Sequence, residues 1–466
     1  MVQLFWKNAT SKVVGEAHGI TREDLAGIDP LIRQCHAKVR SQIAAGLLGY
    51  AALPGNTEYR AQVQALVSRY KPNTTDMLVL GIGGSALGSI ALQTALNPST
   101  YNLLTDRKRG GPRLFVLDNV DPAVIAETLK VVSRRAKSLL VNVISKGGET
   151  AETAAQFMIV RELLRKKLGA DFARRIVATT DQRQGTLYEV AQADGYACLP
   201  VPDDVGGRFS VLSSVGLFSA AMCGIDIDAI LAGAASMAER CTEVAWQSNP
   251  ATMLAVVKYL AFVAKGKTMH VMMPYSNRLY MLADWYRQLW AESLGKRLTR
   301  DGHEVCTGPT PIKALGTTDQ HSQVQLYREG PNDKLTVFIE VKKHPQEVRI
   351  PAAFAEQPGL AYLGGQKLSK LLNAEKVATE FAMAVSQRPT VTLKFDAITP
   401  GSVGEFIFLY EYVTSLMGEM LNINAYDQPA VELGKLATFA LMGREGYGDM
   451  AQKIKPFTRA SKRHLV

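Results

Sequence analysis

Cysteine is scarce in this chain. There are five in 466 residues, at positions 35, 198, 223, 241 and 306, with no Cys-x-x-Cys pair. An odd, scattered set excludes a disulfide framework and fits a reducing compartment, so a cytoplasmic location is expected. Histidine is almost as sparse, with seven residues. No His or Cys spacing resembles a metal site, so no metal is expected. No other cofactor is expected either. Long apolar runs are also missing. The most hydrophobic stretch, Val211 to Ile225, has no charge but contains three serines. It falls short of the roughly 20 residues of a membrane span and reads as a core helix. The opening Met1-Val2-Gln3-Leu4-Phe5-Trp6-Lys7 has no apolar region of signal-peptide length.

Charge is present in a basic excess of +10. Such a balance suits nucleic acid or an anionic metabolite steered to its site. The lysines and arginines are mostly dispersed, and only Lys453 to His464 is basic over any length. That stretch reads as a solvated tail, so no nucleic-acid partner is expected, and no membrane partner either.

The length calls for two or three domains. Residues 1–72 read as a polar helical segment, with apolar positions such as Leu31, Ile32, Val39 and Ile43 at helical intervals. Short apolar runs then alternate with helical stretches: Met77–Leu80, Leu114–Leu117, Leu139–Ile144 and Arg175–Thr180. The alternation resumes at Lys267–Met273, Leu335–Val341 and Pro389–Phe395. Strands buried on both faces and joined by helices imply doubly wound parallel sheets in an α/β fold. The expected division is 73–239 and 240–402 for two such domains, with 403–466 as a C-terminal helical arm and tail.

Two strands end in loops of small residues. One is Gly81-Ile82-Gly83-Gly84-Ser85-Ala86; the other is Ser145-Lys146-Gly147-Gly148-Glu149-Thr150. Both precede helices, whose free N–H groups and partial positive charge favour an anion. The first loop fits a loose dinucleotide fingerprint, but the acid closing the next strand, Asp118, comes far too late for a ribose. A sugar or sugar phosphate fits better. In the second loop, N-capping explains one hydroxyl but not Ser145, Thr150 and Thr153 together, which favours phosphate.

Four further segments have two readings each. Arg208, after Gly206 and Gly207 at a helix entrance, faces either an anion or a surface carboxylate. Glu292 sits in an apolar helical stretch with Lys296 four residues on, so a helix-surface ion pair is the simpler reading. A buried carboxyl with a raised pKa, usable as base and then acid, is the other. His321, in Thr317-Thr318-Asp319-Gln320-His321-Ser322, is either an exposed loop histidine or a catalytic one. Gln428 and Lys435, in the run Asp427 to Lys435, are either ligand contacts or a loop residue and a solvated lysine.

Taken in order, these segments resemble the glucose-6-phosphate isomerase family. Gly206-Gly207-Arg208-Phe209-Ser210-Val211-Leu212-Ser213-Ser214-Val215-Gly216-Leu217 and Asp427-Gln428-Pro429-Ala430-Val431-Glu432-Leu433-Gly434-Lys435 are similar to its two signature segments. The likeness spans roughly residues 75–440. It implies two sugar-isomerase (SIS) domains, a helical arm, no metal, and a homodimer with the active sites at its interface. It also implies reversible conversion of glucose 6-phosphate and fructose 6-phosphate through an enediol(ate). By the same resemblance Glu292 is the base, Arg208 steadies the enediolate, and His321 with Lys435 opens the ring. Ser145, Lys146, Thr150 and Gln428 hold the phosphate, while Gly84, Ser85 and Gly207 line the sugar. The histidine is expected from the partner subunit. The sequence departs from the family pattern at Gly147, Glu149 and Ala430. A non-catalytic sugar-phosphate sensor and a nicotinamide dehydrogenase are the alternative classes; the sensor needs neither Glu292, His321 nor Lys435.

Overall fold

The computed structural model describes residues 1–458, so the end of the basic Lys453–His464 stretch lies outside the described residues. The chain divides into two compact units, Met1–Ala425 and one beginning at Tyr426.

The larger unit is α/β and is built on two five-stranded sheets. A first strand, β1 (Val2–Phe5), belongs to the second sheet, not to a helical segment as the sequence suggested. Helices Arg22–Ala44 and Thr57–Tyr70 account for most of the rest of the polar N-terminal region. The first sheet contains β2 (Asp76–Leu80), β3 (Arg113–Leu117), β4 (Leu139–Ile144), β5 (Ile176–Thr180) and β6 (Ala197–Pro200). Its order is β3-β2-β4-β5-β6, and every neighbour is parallel. Leu78, Leu80, Val141, Val143, Ile176 and Ala178 form its core with residues of the covering helices.

The strand order has a consequence for function. From β2 the chain crosses outward to β3, then returns past β2 to β4 and continues to β5 and β6. The winding therefore reverses between the adjacent strands β2 and β4. In open parallel sheets the crevice at such a reversal, beyond the carboxyl ends, is where ligands sit. The two small-residue loops leave those two carboxyl ends.

The second sheet holds β7 (Met269–Pro274), β10 (Thr310–Lys313), β11 (Lys334–Lys343) and β12 (Thr390–Ala397) as parallel neighbours in the order β12-β11-β7-β10. β1 closes it antiparallel to β12, with Val2 opposite Phe395. A small antiparallel hairpin, β8 (Lys296–Leu298) and β9 (Glu304–Thr307), stands apart. Helix Tyr280–Leu294 carries the chain back from the carboxyl end of β7 toward the start of β10.

Helix Pro400–Met420 was expected to open the C-terminal arm. It is instead buried along nearly its whole length within the larger unit. Its apolar residues, including Val403, Phe406, Ile407, Leu409, Val413 and Leu416, surround the axis, and such a helix must be covered on all sides. Its glycines allow close contact with helix Ile227–Cys241. A Cβ at Gly404 would overlap the Ile230 carbonyl, and one at Gly233 the Gly401 carbonyl. The expected core helix appears as Ser214–Met222, fully lined by buried residues apart from Ala221. The unit beginning at Tyr426 holds helices Glu432–Leu441 and Gly448–Thr458. No helix among the described residues is long and apolar enough to cross a membrane.

Candidate active site

The first glycine loop turns into helix Gly84–Leu96 through Gly83, whose φ of 56° lies in the left-handed region that glycine tolerates. Gly84 lies against a second backbone. A Cβ there would overlap the carbonyl of Gly207 and come within 2.8 Å of the Arg208 nitrogen. Glycine at 84 thus lets the loop after β2 touch the Gly206-Gly207-Arg208 segment. A Cβ at Gly83 would stand 3.0 Å from Gln288 Nε2, so helix Tyr280–Leu294 closes the same corner. Ser85 is half-buried within this turn.

Arg208 occupies the short turn Gly207–Phe209 and is buried. Its Nε donates to Ser293 Oγ at 2.7 Å, and its Nη2 donates to the Ala425 carbonyl at 2.7 Å. Its Nη1 stands 3.3 Å from Glu292 Oε1. The other carboxylate oxygen, Oε2, accepts from Gln288 Nε2 at 3.1 Å. The Glu292 side chain keeps 26% of its surface exposed, against 2% for Arg208, so the carboxylate is open to a ligand while the guanidinium is anchored from behind. Lys296 donates to the backbone carbonyl of Glu292 at 2.7 Å. The simple i,i+4 side-chain ion pair is therefore replaced by a helix-end contact, and the carboxylate pairs with arginine.

The second small-residue loop is tied to the segment leading into Arg208. Lys146, at the exposed surface, donates from Nζ to the Asp203 carbonyl at 2.7 Å. Its own carbonyl accepts from the Thr180 hydroxyl at 3.0 Å and from Asp181 N–H at 3.1 Å. Ser145 Oγ accepts from Gly148 N–H at 3.1 Å. Gly148 has φ 83°, and a Cβ there would overlap the backbone of Leu187. Thr150 is the N-cap residue of helix Ala151–Leu168, yet its hydroxyl makes no capping bond. Both Thr150 and Glu149 are exposed. Nearby, hydrogen bonds from the N–H groups of Arg183 and Gln184 contribute to holding the Asp181 carboxyl below the usual carboxylate range.

The structure thus brings Gly84, Gly207, Arg208 and Glu292 into one corner, and links Lys146 to the strand of chain entering it. His321 lies elsewhere. It ends the turn Thr318–His321, is exposed, and follows the carboxyl end of β10. Glu292 precedes β10, near the end of the helix that returns to its start. The two residues therefore flank opposite ends of that strand. Around His321, Asp319 accepts from the Leu315 N–H at 2.6 Å and the Ser322 hydroxyl at 2.7 Å, and Tyr275 donates to Gln320 Oε1 at 2.6 Å. In the smaller unit, Gln428 begins the turn Pro429–Val431 and is half-buried, and Lys435 Nζ contacts Glu432 Oε1 at 2.7 Å on an exposed helix face. Among the described residues, no group of three or more His, Cys, Asp or Glu side chains is arranged to hold a metal ion.

Residues 60–457 match the family model described as phosphoglucose isomerase. The chain belongs to the phosphoglucose isomerase family. A glucose-6-phosphate isomerase of Carboxydothermus hydrogenoformans is 46% identical over 432 residues, covering 92% of each chain. One from Rubrobacter xylanophilus is 42% identical over 432 residues, covering 92% of this chain and 96% of its own. Among solved structures, a hypothetical protein of Thermus thermophilus superposes with a TM-score of 0.83 at 35% identity, covering 95% of this chain and all of that one. Membership in the phosphoglucose isomerase family accords with the paired α/β sheets.

Two residues of the corner had no role in the sequence reading. Gln288 lies one helical turn before Glu292 on the same face, and that spacing was a usable signal. Ser293 directly follows Glu292, and nothing in the linear order marks it as the acceptor for Arg208.

Proposed function

We infer that this chain is a glucose-6-phosphate isomerase, interconverting D-glucose 6-phosphate and D-fructose 6-phosphate through an enediol(ate). The observation that carries the reading is the solvent-open Glu292 carboxylate beside the anchored Arg208, at the mouth of the β2 loop, in a chain of this family.

In the proposed mechanism Glu292 takes a proton from C2 of the aldose, or C1 of the ketose. It returns that proton to the neighbouring carbon. One base serves both carbons because they lie a single bond apart. Negative charge then builds on the oxygens of the enediolate. Arg208 sits beside the base with its guanidinium already oriented, so it stabilises that charge without reorganising during the reaction. Gly84, Ser85 and Gly207 would line the sugar, the glycines admitting its hydroxyls close to the backbone. Ser145, Lys146 and Thr150 would take the phosphate. An uncapped Thr150 hydroxyl at a helix start supports that assignment. The roles of Gln428 at the phosphate and Lys435 at the ring oxygen rest on the sequence match alone.

His321 is proposed as the acid/base for ring opening, contributed by the second subunit of a homodimer. Its position at the opposite end of β10 from Glu292 supports a donor other than the same chain. A glycolytic and gluconeogenic role in the cytoplasm accords with this chemistry.

The test is direct. Purified protein is incubated with fructose 6-phosphate, without added metal or nicotinamide, and the products are separated. Glucose 6-phosphate accumulating to an equilibrium ratio is expected. Unchanged fructose 6-phosphate would overturn the assignment, and saturable binding without turnover would point to the sensor instead.

A further inference from the structure

A second charged cavity lies at the opposite, amino-terminal end of the strands of the first sheet. It measures about 580 Å³ and is lined by Arg69, Tyr70, Asn73, Lys137, Lys167, Leu168, Asp171, Arg174 and Arg175. These residues come from the chain segments that enter β2, β4 and β5: the end of helix Thr57–Tyr70, the turns Ser133–Ser138 and Gly169–Arg175, and the end of helix Ala151–Leu168. The cavity therefore sits at the amino ends of three adjacent strands. The sugar-phosphate loops leave the carboxyl ends, about 15 Å away for strands of this length.

Five cations face one carboxylate here. Asp171 is already engaged by Arg174 at 3.3 Å. Among the described residues, no carboxylate lies within ion-pair distance of Arg69, Lys137, Lys167 or Arg175. Helix ends favour a cation in the last turn, which accounts for Arg69 and Lys167. Lys137, Arg174 and Arg175 likewise stand in the last turns of the short 3-10 helices Ser133–Ser138 and Gly169–Arg175, so several helix ends bring their cations to one space. Part of the cluster is also held in place. Arg175 Nη1 donates to the Asn73 carbonyl at 3.1 Å, and the Arg69 guanidinium lies 5.0 Å from the centre of the Tyr70 ring.

We propose that this cavity is a second anion site, separate from the sugar-phosphate corner, whose ligand is a chain of condensed phosphates. The cations are spread around a space too large for one orthophosphate. A short polyphosphate presents several charges at matching intervals. Its charge is delocalised over terminal and bridging units, so several flexible cations engage it at once. The same chemistry is offered by a free inorganic chain and by the triphosphate of a nucleotide. The site does not depend on the isomerase assignment, and it gives part of the basic excess a role.

The test uses the full chain with saturating fructose 6-phosphate present. Inorganic triphosphate is titrated by calorimetry, and ATP without magnesium in a parallel arm. The comparison variant carries Lys137→Gln, Lys167→Gln and Arg174→Gln, all at exposed positions. Saturable binding of triphosphate is expected. It should weaken about tenfold in the triple variant and fall with added salt. Isomerisation by the triple variant should match the parent, which also shows that it is folded. Equal affinity for the two ligands assigns the free chain as the recognised group; tighter ATP binding assigns the nucleotide. Triphosphate binding that is absent, or unchanged in the triple variant, overturns the proposal. So does a preference for duplex DNA over triphosphate at the same salt. Failure of isomerisation alone, with the variant's loss of triphosphate binding intact, bears on the isomerase reading only.

Discussion

Arg208 Nη1 lies 3.3 Å from Glu292 Oε1, with the arginine buried and the carboxylate partly open. The guanidinium has two further acceptors, Ser293 Oγ and the Ala425 carbonyl, so its position does not depend on Glu292 alone. Glu292→Gln is therefore expected to fold and to keep hexose phosphate affinity. Its kcat should fall by about 10²–10⁴, the usual loss of one positioned base. Steady-state kinetics and a thermal melt decide this; near-parental turnover would remove Glu292 from the base role.

Ser293→Ala takes away the acceptor of the Arg208 Nε–H at a buried position. An unpaired buried donor costs about 1–3 kcal/mol. The expected outcome is a lower melting temperature together with a kcat loss that exceeds any rise in KM, because in the proposed mechanism Arg208 acts on charge that develops during the reaction. Arg208→Lys should be at least as damaging, since one ammonium does not reproduce a planar fork that donates to Ser293 and Ala425 and faces Glu292. Parental kcat in Ser293→Ala would show that the backbone carbonyl and Glu292 suffice to hold the arginine.

Gly84→Ala places a methyl group into the Gly207 carbonyl. The two backbones must separate, and the corner opens. A misplacement of about 1 Å at a reacting centre costs on the order of 10²-fold in rate. Activity should drop by about that factor while circular dichroism stays native. Gly147→Ala is the control, because nothing lies within 4 Å of a Cβ there. Equal activities in the two variants would contradict the close-approach argument.

His321→Ala should leave stability within about 0.5 kcal/mol, as for an exposed residue, while turnover of the cyclic sugar falls. If the histidine acts across a dimer interface, Glu292→Gln and His321→Ala complement each other. Subunits unfolded together and refolded as random mixtures give hybrids with one intact site, about a quarter of parental activity. No recovery from the mixture would argue for a histidine acting within its own chain.

Lys267 supplies a pH dependence. Its ammonium donates to the Asn332 carbonyl at 2.6 Å and side-chain oxygen at 2.9 Å, and burial, reinforced by the charge of Arg388, lowers its pKa to about 8. In the unfolded chain the ordinary value is about 10.4. Between those values the unfolded state holds more protons, so stability rises with pH there and is least below the folded-state pKa. Urea midpoints from about pH 8 to about pH 10 should climb more steeply in the parent than in Lys267→Met. Parallel slopes would mean that Lys267 keeps an ordinary pKa in the folded protein.

Much of this was legible from spacing. The strand runs ending at Leu80, Ile144 and Thr180 all appear as strands, because parallel strands buried on both faces are near-continuous in apolar residues. β1, β6 and β10 are not legible in the sequence pattern. Each has only four residues, and β10 includes Pro311, which is tolerated because the strand lies at the sheet edge. The placement of helix Pro400–Met420 is likewise not legible in the sequence. Its composition shows that it must be covered, but not by which helix.

By itself the sequence determined the α/β class, the two small-residue loops at strand ends, and the family, since local propensity, apolar periodicity and motif order are written along the chain. Only the tertiary structure decided that β2 and β4 are neighbours across the reversal of winding, and that Glu292 pairs with Arg208 instead of Lys296. Those outcomes depend on which distant segments pack together. Glycine at 84 permits that approach without advertising its partner, and the buried guanidinium finds acceptors in distant parts of the chain, at Glu292-Ser293 and at Ala425.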